Sequence, residues 1–296
     1  MDFTPIGVLR ETNNIEKKKF SFKNLRFKGD IFISPLVLFI IVSLCMLAPL
    51  ITSSDPTNMK LSDVFVSPCK EYIFGTDHLG RDILSRVLYG GRISIIIGVL
   101  SMVISTVIGA IYGSISGYCD GVIDDIMMRF IDIMISIPSL LIMTLIQSIL
   151  QSNKVSSIIF VISITSWMNI AKIVRSEVLE LKQREFVLAS KIMGADFIYI
   201  IKKHLIPNYM VSIIYMSAIN SANAIMAETT LSFLGLGLPI DVPSWGSMLM
   251  DARESILLNK WWIALFPGVF MISTIFCITN IGEYIRVKSN RKFNNI

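Results

Sequence analysis

The side chains that could carry chemistry in this 296-residue chain are few, and their placement does not favour catalysis. The two histidines, His78 and His204, fall in segments that hydropathy puts on opposite sides of a membrane, so they cannot share a metal. The four cysteines, Cys45, Cys69, Cys119 and Cys277, show no C-x-x-C spacing. Three of them lie in or beside apolar runs, which fits packing rather than a disulfide framework or a zinc site. No G-x-x-x-x-G-K-[ST] loop is available to cradle nucleotide phosphates, and no H-E-x-x-H, nucleophile elbow or G-x-G-x-x-G stands out. The expectation is a protein with no catalytic residues, no metal ligands and no cofactor of its own.

Other residues are arranged for recognition. Between 185 and 208, Glu185, Phe186, Leu188, Ala189, Ser190, Ile192 and Met193 predict a short helix, with Gly194 and Ala195 at a break. A second helical stretch follows from Ile198 to Lys203, with Pro207 as its stop. Phe186, Leu188, Ala189, Ile192 and Met193 give this loop an apolar surface. Such a surface suits a helix that docks in a groove of a cytoplasmic partner, or one that rests on the membrane. Further along, Ser217, Asn220, Ser221, Ala224 and Glu228 recur on one helical face. That stripe has two readings, a hydrated pathway or hydrogen bonding between helices, since lipid exposure of polar groups is costly in either case. Glu228 lies near the outer end of its run, within reach of the interface.

Three more patterns accompany these. Ser101, Ser105, Gly109, Gly113 and Gly117 put a small residue at every fourth position, a seam for close approach of another helix in the same bundle or in a partner subunit. Arg129 and Asp132 read as a snorkelling pair at the inner start of a span. Residues 81–92 set Ile83, Leu84, Val87 and Leu88 on one helical face and Arg81, Asp82, Ser85 and Arg86 on the other. This predicts an amphipathic helix lying at the outer interface, with Asp77–Arg81 and Asp82–Arg86 as i,i+4 pairs.

The elements that must position these residues follow from composition. Hydrophobic residues make up 53% of the chain and charged ones 17%, against about 25% charged in ordinary soluble domains. Disorder is excluded, and the continuous apolar runs disfavour a β-barrel, leaving an all-α polytopic membrane helical bundle. The runs at 31–51, 93–116, 130–150, 155–173, 209–231 and 261–280 each match the length of a spanning helix, predicting six. Residues 1–30 and 281–296 become tails, and 93–280 a five-helix core holding the inner loop 172–208. Segments 52–92 and 232–260 are long outer connections. With the N-terminus cytoplasmic, 19 of the 27 Lys and Arg residues fall on inner segments, so both termini are expected in the cytoplasm. In a membrane protein the net charge of +5 reflects these inner segments rather than nucleic-acid binding. The first 30 residues carry seven basic and four acidic side chains without a cleavable apolar core, unlike a signal peptide.

Leu188-Ala189-Ser190, then Gly194, then His204-Leu205-Ile206-Pro207 resemble the cytoplasmic "EAA" signature of ATP-binding-cassette importer permeases, with Leu188 where that signature has Glu. The likeness is to the second, C-type permease of the dipeptide, oligopeptide and nickel group, and it extends over nearly the whole chain. Phe74-Gly75-Thr76-Asp77 with Gly80-Arg81-Asp82 resembles the subgroup's outer motif. Asp125 to Asp132 with Ile137-Pro138 resembles its third-span entry, and Glu228 with Leu231 to Gly237 and Pro243 to Gly246 resembles its later signature. Gly282 to Arg286 only loosely resembles its ending.

The resemblance implies a permease of the cell membrane that pairs with a homologous permease, two cytoplasmic ATPases and an extracytoplasmic solute-binding protein. ATP and Mg would be bound by the partner subunits alone, and the 185–207 loop would couple them to this chain. Peptide uptake is the first expectation. A nickel or metallophore importer of the same architecture is the alternative, and a secondary transporter is disfavoured because no inverted repeat is visible.

Overall fold

The computed structural model describes residues 30–293 apart from positions 53, 120 and 240, so the expected tail 1–30 lies almost wholly outside the described residues. The chain forms α1 (Asp30–Met46), α2 (Ala48–Ile51), α3 (Ile83–Tyr118), α4 (Val122–Ser136), α5 (Ser139–Leu150) and α6 (Val155–Leu181). There follow α7 (Glu185–Ile192), α8 (Phe197–Ile200), α9 (Ile206–Phe233), α10 (Trp245–Leu257) and α11 (Trp262–Phe293). No strand occurs among the described residues; Thr76 and Asp82 form a single isolated bridge.

Four stretches are long and apolar enough to cross a membrane: Ile83–Tyr118, Val155–Leu181, Phe197–Phe233 and Trp262–Lys288. The expected third span at 130–150 is not a straight helix, because α4 and α5 meet at 87°. The cause is Pro138. Its ring excludes Ile137 from helical geometry, and Ile137 sits extended at φ −89°, ψ 129°. The first apolar helix is shorter, Phe32–Met46.

The centre of the bundle is the α3–α6 pair, built on the small-residue seam. A Cβ at Gly109 would lie 2.7 Å from the Trp167 carbonyl oxygen, one at Gly113 would strike the Ala171 carbonyl, and one at Gly117 would lie 2.9 Å from that of Arg175. The ascending numbers on both sides make the two helices parallel, and their backbones touch because no side chain intervenes. The seam is thus spent within this chain. On the other side of α3, Val99, Val103, Val107 and Ile111 are exposed, as an apolar stripe facing lipid or a partner should be.

Helix α9 crosses α3 in the opposite sense. Tyr209 Oη and Ser114 Oγ lie 2.9 Å apart, and farther along Asn220 Nδ2 donates to Ser105 Oγ at 2.6 Å. Helix α11 runs on to Phe293 through the expected tail at 281–293, leaving 294–296 outside the described residues.

The expected inner loop 172–208 is shorter, because α6 continues to Leu181 and the helical run into α9 begins at Phe197, with α7 between them. Pro207 does not stop a helix there. It occupies the first turn of α9, where its missing N–H is tolerated, and a π-helical turn over Ile201–Leu205 absorbs the mismatch with α8.

Candidate functional site

At the end of the bundle that the sequence expects to be cytoplasmic, α7 presents one face to solvent. Ile192 and Met193 are 86% and 79% exposed, and Phe186 and Leu188 are exposed beside them. Glu185, Ala189 and Pro207 are also at the surface, while Ala195 is half-buried. Gly194 ends the helix at φ +84°. Its N–H bonds the Lys191 carbonyl at 3.1 Å and the Ala195 N–H bonds that of Ser190 at 3.0 Å, the paired pattern of a left-handed helix cap. A Cβ at Gly194 would meet nothing within 4 Å, so glycine is required there by backbone conformation rather than by space.

The opposite side of α7 is bolted down. Val187 is buried among Val174 and Val178 of α6 and Ile200, Leu205 and Tyr209. Ser190 Oγ lies 2.9 Å from His204 Nε2, and the Phe186 and Tyr199 rings flank that imidazole. A push on α7 therefore reaches α6 and α9 together.

In the middle of the bundle, the predicted stripe is turned toward α3. Ser217 Oγ pairs with Thr106 Oγ1 at 3.1 Å, Asn220 with Ser105, and Ser221 and Ala224 are buried. Glu228 does not reach the interface: it is fully buried. Its Oε1 accepts from Ser232 Oγ at 2.8 Å and Ser244 Oγ at 2.7 Å, and its Oε2 accepts from Ser94 Oγ at 3.3 Å. The Trp245 N–H donates to Ser94 Oγ at 3.2 Å and its indole to the Val87 carbonyl at 3.0 Å, so one carboxylate knots α3, α9 and the start of α10. This face makes interhelical hydrogen bonds. An open groove lies to one side of it, between α5, α6 and α9, lined by Thr165, Ser166, Asn169, Asn220, Asn223 and Thr230 among others.

At the opposite end of the bundle, residues 81–92 are not an interfacial helix; they lead into α3 and form its first turns. Asp82 caps that helix, accepting from Ser85 N at 3.0 Å and Ser85 Oγ at 2.6 Å. The expected Asp82–Arg86 pair gives way to this cap. Arg81 and Arg86, 1% and 2% exposed, instead share Asp77 and Asp251. Gly75, Thr76 and Gly80 make the turns that hold Asp77. Gly75 and Gly80 have φ of +76° and +71°, and the Trp262 indole donates to the Thr76 carbonyl at 3.2 Å. His78 joins Asp77 and Asp251 in offering ligand atoms within 4.8 Å of one another. The two guanidinium groups already balance both carboxylates, which leaves little attraction for a further cation. Near by, Tyr72 Oη donates to Asp63 Oδ2 at 2.7 Å, and this bond holds the Asp63 carboxyl below the usual carboxylate range.

Sequence reasoning missed Asp251, Asn223 and the Asp124–Arg175 pair, in which both guanidinium bonds measure 2.6 Å. Lone polar residues in apolar or loop context were the available signal, but their partners lie far along the chain. Asp132 pairs with Lys172 at 2.6 Å rather than with Arg129.

Comparison with known proteins decides the family. The profile of the binding-protein-dependent transport system inner membrane component matches residues 109–288. The chain belongs to that family. The oligopeptide transport system permease protein OppC of Bacillus subtilis is 38% identical over 281 residues, covering 93% of this chain and 92% of the relative. The dipeptide transport system permease protein DppC of the same organism is 36% identical over 283 residues, covering 93% and 87%. As an inner membrane component of this kind, the protein is a multi-pass permease subunit of the cell membrane, and α6, α9 and the last turns of α3 fall within the matched region.

Proposed function

We infer that this permease carries di- or oligopeptides inward as one subunit of an ATP-driven importer. The observation that carries the reading is that relatives named for dipeptide and oligopeptide transport align with 93% of the chain. Those names favour peptide over nickel or metallophore cargo. In this reading the chain has six spans, with α1 and the bent α4–α5 pair each counted as one, and both termini are cytoplasmic. It pairs with a homologous permease and binds no nucleotide. ATP and Mg sit on two cytoplasmic ATPases, and a solute-binding protein delivers cargo to the outer face.

The coupling element is the α7 surface, Glu185 to Ala195, together with the 204–207 turn. Closure of the ATPase dimer would draw the α7 helices of the two permeases together. Because Val187 and Ser190 clamp α7 to both α6 and α9, the movement would tilt those helices as rigid bodies between two states. The Asp77–Arg81–Arg86–Asp251 assembly and the Glu228 knot would keep the outer ends of α3, α9 and α10 moving as one.

The test is purification of the chain from its own membrane in mild detergent, followed by reconstitution and ATP-dependent uptake of labelled tripeptide. Co-purification of a second permease and ATPases with peptide uptake is expected. Uptake of chelated nickel and not of peptide would replace the cargo. Transport by this chain alone would replace the mechanism.

A further inference from the structure

The open groove between α5, α6 and α9 has a volume of about 330 Å³ and lies beside the stripe that the sequence singled out. Thr165, Ser166, Asn169, Asn220, Asn223 and Thr230 line it together with apolar side chains, and no charged residue takes part. Asn220 is occupied by Ser105. Asn169 and Asn223 are exposed and make no side-chain hydrogen bond among the described residues. Both stand within helices long enough to cross a membrane. Free carboxamides at that depth cannot face lipid without a cost of kcal/mol, so the groove opens on water or on another subunit.

A carboxamide offers two donors and an acceptor, and a hydroxyl offers both, which matches the alternating N–H and C=O of an extended peptide backbone. An uncharged wall also neither attracts nor repels a charged side chain across the groove.

We propose that this groove is the chain's own half of the cargo path, and that its amide and hydroxyl wall passes peptides by their backbone without sorting them by side-chain charge. The inference rests on the peptide-permease reading and adds both the residues of the path and their selectivity.

The experiment uses the reconstituted complete importer and a mixture of tripeptides with an acidic, neutral or basic central residue, each supplied at saturation of the solute-binding protein. Wild type is expected to take up all three at similar rates. Asn223→Asp should lower the acidic-to-basic uptake ratio about thirtyfold and Asn223→Lys should raise it by a similar factor, since one charge at about 4 Å in water acts about fivefold against the like-charged peptide and about fivefold in favour of the opposite one. Because the readout is a ratio within one sample, a loss of folded protein cancels. Unchanged ratios in both variants, with peptide uptake intact, would overturn the groove as the path while leaving the peptide reading standing. Failure of wild type to carry any tripeptide would overturn that reading instead. Should neither charged variant assemble, Asn223→Cys is treated with a charged, membrane-impermeant thiol reagent and the adduct located by mass spectrometry. Modification at residue 223 during turnover supports the path, and its absence sinks it.

Discussion

Arg81 and Asp251 stand 170 positions apart in sequence and meet at 2.9 Å between Nη2 and Oδ2. Arg81 Nε reaches Asp77 Oδ2 at 2.6 Å, and Arg86 spans the same two carboxylates at 3.4 and 3.2 Å. Four charges are thus closed on one another between the start of α3 and α10. Removing one carboxylate strands a buried guanidinium, which is far costlier than losing a surface pair.

Asp251→Asn is therefore expected to destabilise the protein by about 3 kcal/mol, the lower end for a buried pair, since the Asp251 side chain keeps 20% exposure. Glu180→Gln, which breaks the exposed Arg184–Glu180 pair, should change stability by under about 1 kcal/mol. Thermal unfolding of both variants in detergent checks the contrast, and equal midpoints would remove the outer assembly from the account of stability.

Glu228 is held by three serine hydroxyls and no cation. Glu228→Gln keeps a carbonyl oxygen for Ser232 and Ser244 and presents an amide to Ser94, so uptake should stay within about twofold of wild type. Glu228→Ala leaves three hydroxyl protons without their acceptor around a cavity and should cost about 3 kcal/mol or more. If Gln abolishes uptake in a protein that still unfolds like wild type, the negative charge itself takes part in transport.

At Gly194 the backbone conformation decides the outcome. Gly194→Val has room, yet forces a β-branched residue to φ +84° at a cost of about 1–3 kcal/mol, which should unwind the end of α7 and lower the peptide-stimulated ATPase rate of the complex. Gly194→Asn, which tolerates the left-handed region, should retain most of that rate. Equal loss in both would point to the surface of α7 rather than its cap.

Gly113→Val tests the seam. Its Cβ would collide with the Ala171 carbonyl, so α3 and α6 must part along their length, with an expected loss of about 1–3 kcal/mol and of a monodisperse peak in gel filtration. Val107→Ala, on the exposed side of α3, is the control and should leave the peak unchanged.

The segment 61–76 should respond to acid through Asp63. Its carboxyl titrates below the usual range because the Tyr72 phenol, and after it Ser62, donate to the ionised form. A depressed native value means the stabilisation is present above the ordinary carboxylate value and is lost as pH falls through the native one. Amide hydrogen exchange over 61–76, with rates normalised to unstructured peptide, should show protection falling in that acid window for wild type. In Tyr72→Phe the same amides should show less protection at neutral pH and a smaller acid-induced change.

The sequence alone determined that this is a helical membrane protein and where the short apolar-faced helix after α6 lies, and it supports the expectation of cytoplasmic termini. Those features are local: apolar run length, the count of Lys and Arg per segment, and the spacing of Phe186, Leu188, Ile192 and Met193 act within a few turns. The left-handed cap at Gly194 is equally local. Tertiary structure decided which faces meet. Arg81 and Arg86 read as the wet side of an interfacial helix until Asp251 arrives from α10 to bury them. Ser217 and Asn220 of the α9 stripe pair with α3, Glu228 is shared among Ser94, Ser232 and Ser244, and Asn223, about 100° round the helix from Ala224, opens into the groove with Asn169 of α6. A polar residue in an apolar helix must find a partner or water, but the partner's position depends on the rotation of a second helix that no local pattern encodes. The break at Ile137-Pro138 was legible as chemistry; the 87° turn it produces depends on how α5 packs against α6 and α9.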